Sequence, residues 1–183
     1  MIQKILLTAM MCMLAIPVFA QDAEDGKLSL GDFPPELNVD FVKRTPVKLI
    51  DGVGTKVIVV EFWATWCAPC KISIPHLTEL QKKYGKDGLV IVGISDESIQ
   101  DVQLFLDRIG SGMDYTVAVD RGGDTKKRYY DAFGVEGIPQ AFVIDVNGRV
   151  AWQGHPNSPF LERIISILLE DIPDVEEKPT DDE

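Results

Sequence analysis

The chain has 183 residues, 45% hydrophobic and 26% charged, which fits one globular domain with short appendages. That composition excludes a collagen-like chain, a wholly disordered one and a polytopic membrane protein. A formal net charge of −11 and a pI near 4.6 leave no electrostatic footprint for nucleic acid, and three cysteines are too few for a disulfide-built mini-protein.

Residues 1–20 read as an export signal. Lys4 supplies the positive start, Ile5 to Val18 is apolar apart from Thr8, and Val18-Phe19-Ala20 is a small-x-small cleavage site. The apolar run is about 14 residues, short of the roughly 20 that span a bilayer as a helix, so cleavage after Ala20 is expected rather than retention as an anchor. Cys12 lies inside this run and carries no function. The remaining cysteines, Cys67 and Cys70, then work in an exported compartment where disulfides persist.

Residues 21–36 are polar, contain Pro34-Pro35 and read as an extended leader. Between Leu37 and Ile50, the runs LNVDFV and PVKLI suit strands at a sheet edge. Lys56 to Trp63 is a nearly continuous β-branched and aromatic run, the pattern of a strand covered on both faces. Glu61 is the anomaly in it, because a buried carboxylate is costly unless protonated or paired.

After Cys67-Ala68-Pro69-Cys70 the period becomes helical. Ile72, Ile74, Leu77, Leu80 and Tyr84 mark the apolar positions, with Pro75 expected to kink the helix. Leu89 to Ile94 is a second buried strand, followed by a helix capped by Asp96 with Ile99, Val102, Phe105, Leu106 and Ile109 on its apolar face. Tyr115 to Val119 is a short strand and Thr125 to Phe133 a helix. Ala141 to Asp145 and Arg149 to Gln153 form a hairpin around Val146-Asn147-Gly148, and Ser158-Pro159 opens a last helix with Leu161, Ile164, Ile165 and Leu168 inward. This order gives a three-layer α/β sandwich with a mixed central sheet and helices on both faces, occupying residues 37–170. The final stretch from Glu170 holds eight acids, one lysine and two prolines, so 171–183 reads as a solvated, disordered acidic tail.

The informative segment is the Cys-x-x-Cys where a buried strand turns into a helix. At the helix start, free N–H groups and the helix dipole favour a thiolate on Cys67, while Cys70, inside the first turn, can attack a mixed disulfide from behind. Ala68 and Pro69 add no basic charge, which points to a middling or reducing potential. A zinc reading has only His76 and His155 to complete a site, neither at ligand spacing, and a structural staple closing four residues removes little unfolded-state entropy.

The run FWATWCAPCK with Pro75 resembles the thioredoxin active site. Phe133 to Pro139 resembles the loop that carries that family's cis-proline, and Phe142 to Gly154 its closing hairpin. The export signal, the Phe33-Pro34-Pro35 leader and the extra strand–helix from Gly93 to Val119 resemble, more narrowly, the extracytoplasmic thiol–disulfide oxidoreductases of the TlpA/ResA type and related redoxins. The resemblance spans roughly residues 30–170. It implies a thioredoxin fold with an N-terminal strand extension and an inserted strand–helix, and a redox-active Cys67–Cys70 disulfide with no other cofactor and no metal. It implies that Glu61 exchanges a proton with Cys70. It also implies a cis bond before Pro139 that exposes the Ile138 backbone to substrate, with Trp66, Ala68 and Pro69 on the substrate surface. Trp63 reads as core. Cytosolic thioredoxins place a lysine beside this acid on the neighbouring strand; LVIVGI has none, so Glu61 is tuned by burial.

The expected activity is reduction of protein disulfides outside the cytoplasm by a monomer. Its partners are protein disulfides and a thiol electron donor, which could be membrane-embedded, with no nucleic acid. A redoxin-type peroxidase and a non-catalytic binding module on the same fold are the alternatives.

Overall fold

The structure, a computed structural model, describes residues 27–173. The expected signal segment and most of the expected acidic tail lie outside the described residues. The first strand, β1 (Val39–Lys43), is half-buried, as its alternating sequence requires. The second, β2 (Val57–Trp63), is buried at all seven positions, as a β-branched run covered on both faces should be. Helix α1 (Ala68–Tyr84) leads to β3 (Leu89–Ser95), α2 (Ile99–Ile109) to β4 (Thr116–Asp120), and α3 (Asp124–Phe133) to the hairpin β5 (Gln140–Ile144) and β6 (Val150–Gly154). Helix α4 (Pro159–Leu169) closes the order.

The sheet order is β1-β4-β3-β2-β5-β6, with β2 central. The pairs β2–β3 and β3–β4 are parallel; β1, β5 and β6 join antiparallel. Alternate residues of β2 divide two cores. Val57, Val59 and Trp63 pack with Ile74 and Leu77 of α1 and Leu161 and Ile165 of α4, whereas Ile58, Val60 and Phe62 pack with Tyr129 and Phe133 of α3. This is the expected three-layer architecture, with β1 as the added edge strand and the expected inserted strand–helix, Gly93 to Val119, running from the end of β3 through α2 into β4.

Several local expectations change. PVKLI forms no strand: Leu49 is buried and the chain turns through a short 3-10 helix at Ile50–Gly52, whose Leu49 and Ile50 N–H groups donate to the Glu36 carboxylate. Helix α2 is capped by Ser98, whose hydroxyl accepts from the Asp101 N–H, and not by Asp96, which lies two residues further out and pairs with Lys126. Ile72 is 70% exposed, because it sits on the outer side of the first turn of α1, while Ile74 and Leu77 take the inner face. Pro75 lies within the single helix α1. At the leader, the Leu28 N–H donates to the Ala132 carbonyl, and Gly31 and Asp32 exchange backbone bonds with Val150, so residues 28–32 are tied to α3 and to the edge strand β6. At the other end, Ile172 packs against the core beside Gly88 and Leu169.

Candidate functional site

Strand β2 ends at Trp63 and α1 begins at Ala68, so four residues turn the chain from the centre of the sheet into a helix. Cys67 is the N-cap of α1, with extended backbone, and its sulfur accepts the Cys70 N–H at 3.2 Å. A sulfur in the capping position faces the unsatisfied N–H groups of the first turn, where negative charge is stabilised. Pro69 occupies the first turn, where its missing N–H costs nothing. Cys67 and Cys70 form a disulfide, their Cα atoms 5.3 Å apart. Cys70 is fully buried and Cys67 is 3% exposed.

The loop before β5 meets this turn. The Ile138–Pro139 bond is cis, and the Ile138 carbonyl oxygen lies 4.0 Å from the Cys67 sulfur. The Tyr130 hydroxyl of α3 donates to the Gly137 carbonyl at 2.8 Å and anchors the loop from below. Trp66 stands out from the surface at 69% exposure. Ala68 and Pro69 are exposed beside it, whereas Trp63 is 1% exposed and packs on Phe105 with ring centroids 5.2 Å apart.

Glu61 shares its face of β2 with Trp63, under the layer that contains Cys67 and Cys70. It is completely buried, and neither carboxyl oxygen has a hydrogen-bond partner in the protein. Burial pushes its pKa up from 4.5 to about 8. Such a carboxyl is neutral at rest near pH 7 and close to the range in which it can exchange a proton with a thiol.

His76 is half-buried on α1, and His155 is exposed in a turn where its Nδ1 accepts the Asn157 N–H. Among the described residues, no three His, Cys, Asp or Glu side chains are assembled as a metal site.

Two features of the site are not evident in the motif itself. The Glu97 carboxylate, on the loop after β3, accepts the Thr65 N–H at 2.6 Å, the Thr65 hydroxyl at 2.7 Å and the buried Ser95 hydroxyl at 3.0 Å. The separation of 32 residues hides this clamp from any local pattern. Gly93 pairs with Glu61 across β2–β3, a register that VIVVEFW and LVIVGIS allow but do not select. Beside the site, a cleft of about 340 Å³ between α1 and α2 is lined by Thr65, Lys71, Phe105, Arg108 and Ile109.

A mixed sheet with the dithiol at a strand–helix turn, a cis-proline loop against its first sulfur and a buried acid beneath defines a thioredoxin-fold dithiol protein. Residues 30–153 match the AhpC/TSA family. The thiol–disulfide oxidoreductase ResA of Bacillus anthracis is 31% identical over 132 residues, 72% of each chain. ResA of Geobacillus thermodenitrificans is 27% identical over 81% of this chain and 82% of its own. A crystal structure of a thiol:disulfide interchange protein of the thioredoxin family from Chlorobium tepidum TLS superposes with a TM-score of 0.64 at 27% identity, covering 77% of this chain and 98% of that one. The chain belongs to the AhpC/TSA family and, within it, to the thiol–disulfide oxidoreductases of the ResA type.

Proposed function

We propose that this oxidoreductase runs as a reductase of protein disulfides outside the cytoplasm. The carrying observation is the capping position of Cys67, exposed to the helix N-terminus on one side and to the Ile138 carbonyl on the other. In the reduced protein, the Cys67 thiolate attacks one sulfur of a substrate disulfide. That bond breaks, the second substrate sulfur leaves as a thiolate, and a mixed disulfide forms. In molecules whose Glu61 is ionised, Cys70 passes its proton to Glu61 and attacks the Cys67 sulfur; the substrate sulfur leaves as a thiolate with the bonding pair, and the Cys67–Cys70 disulfide forms. A thiol donor, soluble or membrane-embedded, returns two electrons. Ile138 and Pro139, with Trp66, Ala68 and Pro69, form the surface on which an extended substrate segment lies. No cofactor beyond the disulfide enters this cycle, and the protein works as a monomer.

The same reading divides the chain into a signal at 1–20, a leader at 21–36, the thioredoxin-like domain at 37–170 and an acidic tail at 171–183. It places the protein in the periplasm or its equivalent. Among the described residues, no helix is long and apolar enough to cross a membrane.

The test is dithiothreitol-driven reduction of insulin by the purified protein, paired with titration of Cys67 by alkylation. Catalysis well above the dithiothreitol background and a Cys67 thiol that ionises below the ordinary 8.5 are expected. Hydrogen peroxide consumption without insulin reduction would favour the peroxidase alternative and overturn the proposal. Absence of both activities in the parent protein, with partner binding retained in Cys67→Ala, would leave only a binding module.

A further inference from the structure

Gly93 lies directly beside Glu61 in the parallel register of β2 and β3. A Cβ at Gly93 would stand 3.0 Å from Tyr115 Cε2, 3.2 Å from Trp63 Nε1 and 3.3 Å from Glu61 Oε2. Three polar side chains from two segments therefore converge beside Gly93, and a side chain there would have to push them apart by a few tenths of an ångström. All three are buried, Tyr115 completely and Trp63 to 1% exposure. The Glu61 oxygens, the Trp63 Nε1 and the Tyr115 hydroxyl are each without a hydrogen-bond partner in the protein. Two donors and one acceptor left orphaned together in this way are expensive, at about 1–3 kcal/mol per group, unless they serve one another in some state of the molecule.

That state is the one in which Glu61 carries charge. We propose that Tyr115 is a positioning residue for Glu61: its hydroxyl and the Trp63 indole N–H, brought together by the absence of a side chain at Gly93, are the donors that receive the Glu61 carboxylate. The surroundings supply no rival. From α1 this layer receives Cys70, Ile74 and Leu77, from α2 Val102 and Leu106, and from β5 Ala141, which pairs with Glu61 itself. The other groups in electrostatic reach of Glu61 are phenols, Tyr115 and Tyr130 of α3, both lifted above their ordinary values by burial first and by the Glu61 charge second. The half-buried Glu97 is committed to Thr65 and Ser95. No lysine, arginine or histidine enters the layer among the described residues. The carboxylate is therefore received by neutral donors alone, which tune it without fixing it in the charged form as a buried cation would.

This inference rests on the reading of Glu61 as the proton acceptor of Cys70. The experiment is a carbon-13 NMR titration of the glutamate carboxyls in the full-length reduced protein, with Glu61→Gln assigning the Glu61 signal, set beside the pH dependence of mixed-disulfide resolution. In Tyr115→Phe the Glu61 midpoint should rise by about 0.5 to 1 pH unit. Resolution at pH 7 should then slow about three- to tenfold and recover as pH rises above the new midpoint. Gly93→Ala, whose methyl wedges between the three groups, should shift the midpoint in the same direction and serves if Tyr115→Phe does not fold. An unchanged or lowered midpoint in both variants overturns the proposal. A shifted midpoint in a protein that does not reduce insulin would leave the proposal standing and remove the reductase reading instead.

Discussion

Thr65 gives both its backbone N–H and its hydroxyl to the carboxylate of Glu97, so the loop two residues ahead of Cys67 is held by the loop that follows the neighbouring strand. The Ser95 hydroxyl also donates to that carboxylate and accepts the Glu97 N–H at 3.2 Å, which fixes the carboxylate in turn. Charge-assisted bonds of this kind are roughly twice as strong as neutral ones, and their loss leaves the Thr65 N–H unpaired in a half-buried place.

Glu97→Ala should therefore destabilise the protein by about 2 kcal/mol and slow insulin reduction several-fold, whereas Glu97→Gln, which keeps an acceptor, should recover most of both. Denaturant unfolding and turnover, measured on the same preparations, check this. Equal loss in both variants would show that the charge of Glu97, and not its geometry, is what the loop requires.

In the proposed cycle, Cys70→Ser leaves Cys67 able to attack and removes the sulfur that resolves. Covalent adducts through Cys67 should accumulate with exported proteins of the native host, visible as reductant-sensitive bands on gels. They should disappear in Cys67→Ser, and they identify substrate and donor in one step. Recovery of none would count against the two-thiol cycle.

Glu61 gives a pH dependence whose sign is fixed by its environment. The folded protein holds it at about 8 and the unfolded chain near 4.5, so the fold favours its protonated form. Its contribution is fully favourable below the unfolded value and is lost as pH rises from about 4.5 through 8. The interval corresponds to on the order of 5 kcal/mol. Glu61→Gln should abolish this loss, so the variant should be the more stable protein at pH 9 and close to the parent at pH 4. The same variant should slow turnover above neutral pH. Chemical denaturation at the two pH values measures the first effect, and the pH–rate profile the second.

Ile172 lies within the stretch whose composition reads as tail, yet it packs against the core beside Leu169. Truncation after Pro173 should leave the melting temperature within about a degree. Truncation after Glu170 should lower it by several degrees, through loss of roughly 1 kcal/mol of apolar burial. Differential scanning calorimetry of the two truncations decides whether the body ends at 170 or at 172.

Local pattern carried the order of elements and the location of the dithiol. A nearly continuous β-branched and aromatic run points to a central strand, and a Cys-x-x-Cys at a strand-to-helix turn has its first sulfur at the helix mouth, because chain direction alone sets the dipole. The Ser158-Pro159 helix start and the Asn147-Gly148 hairpin are legible for the same reason: capping and turn chemistry act within four residues. Where local signals compete, pattern alone does not decide. Asp96 and Ser98 are both good caps, and the start of α2 depended on where β3 released the chain; Asp96 turned to Lys126, thirty residues away.

What only the tertiary structure decided is which distant groups meet. The clamp of Glu97 on Thr65, the Ile138 carbonyl at the Cys67 sulfur and the meeting of Glu61, Trp63 and Tyr115 over Gly93 depend on strand register and on helices packed across the sheet. A sequence states that Glu61 is out of place in an apolar strand. It cannot state that the neighbouring strand presents a glycine there, because pairing is settled by the collapse of two cores onto one sheet and not by any residue near Glu61.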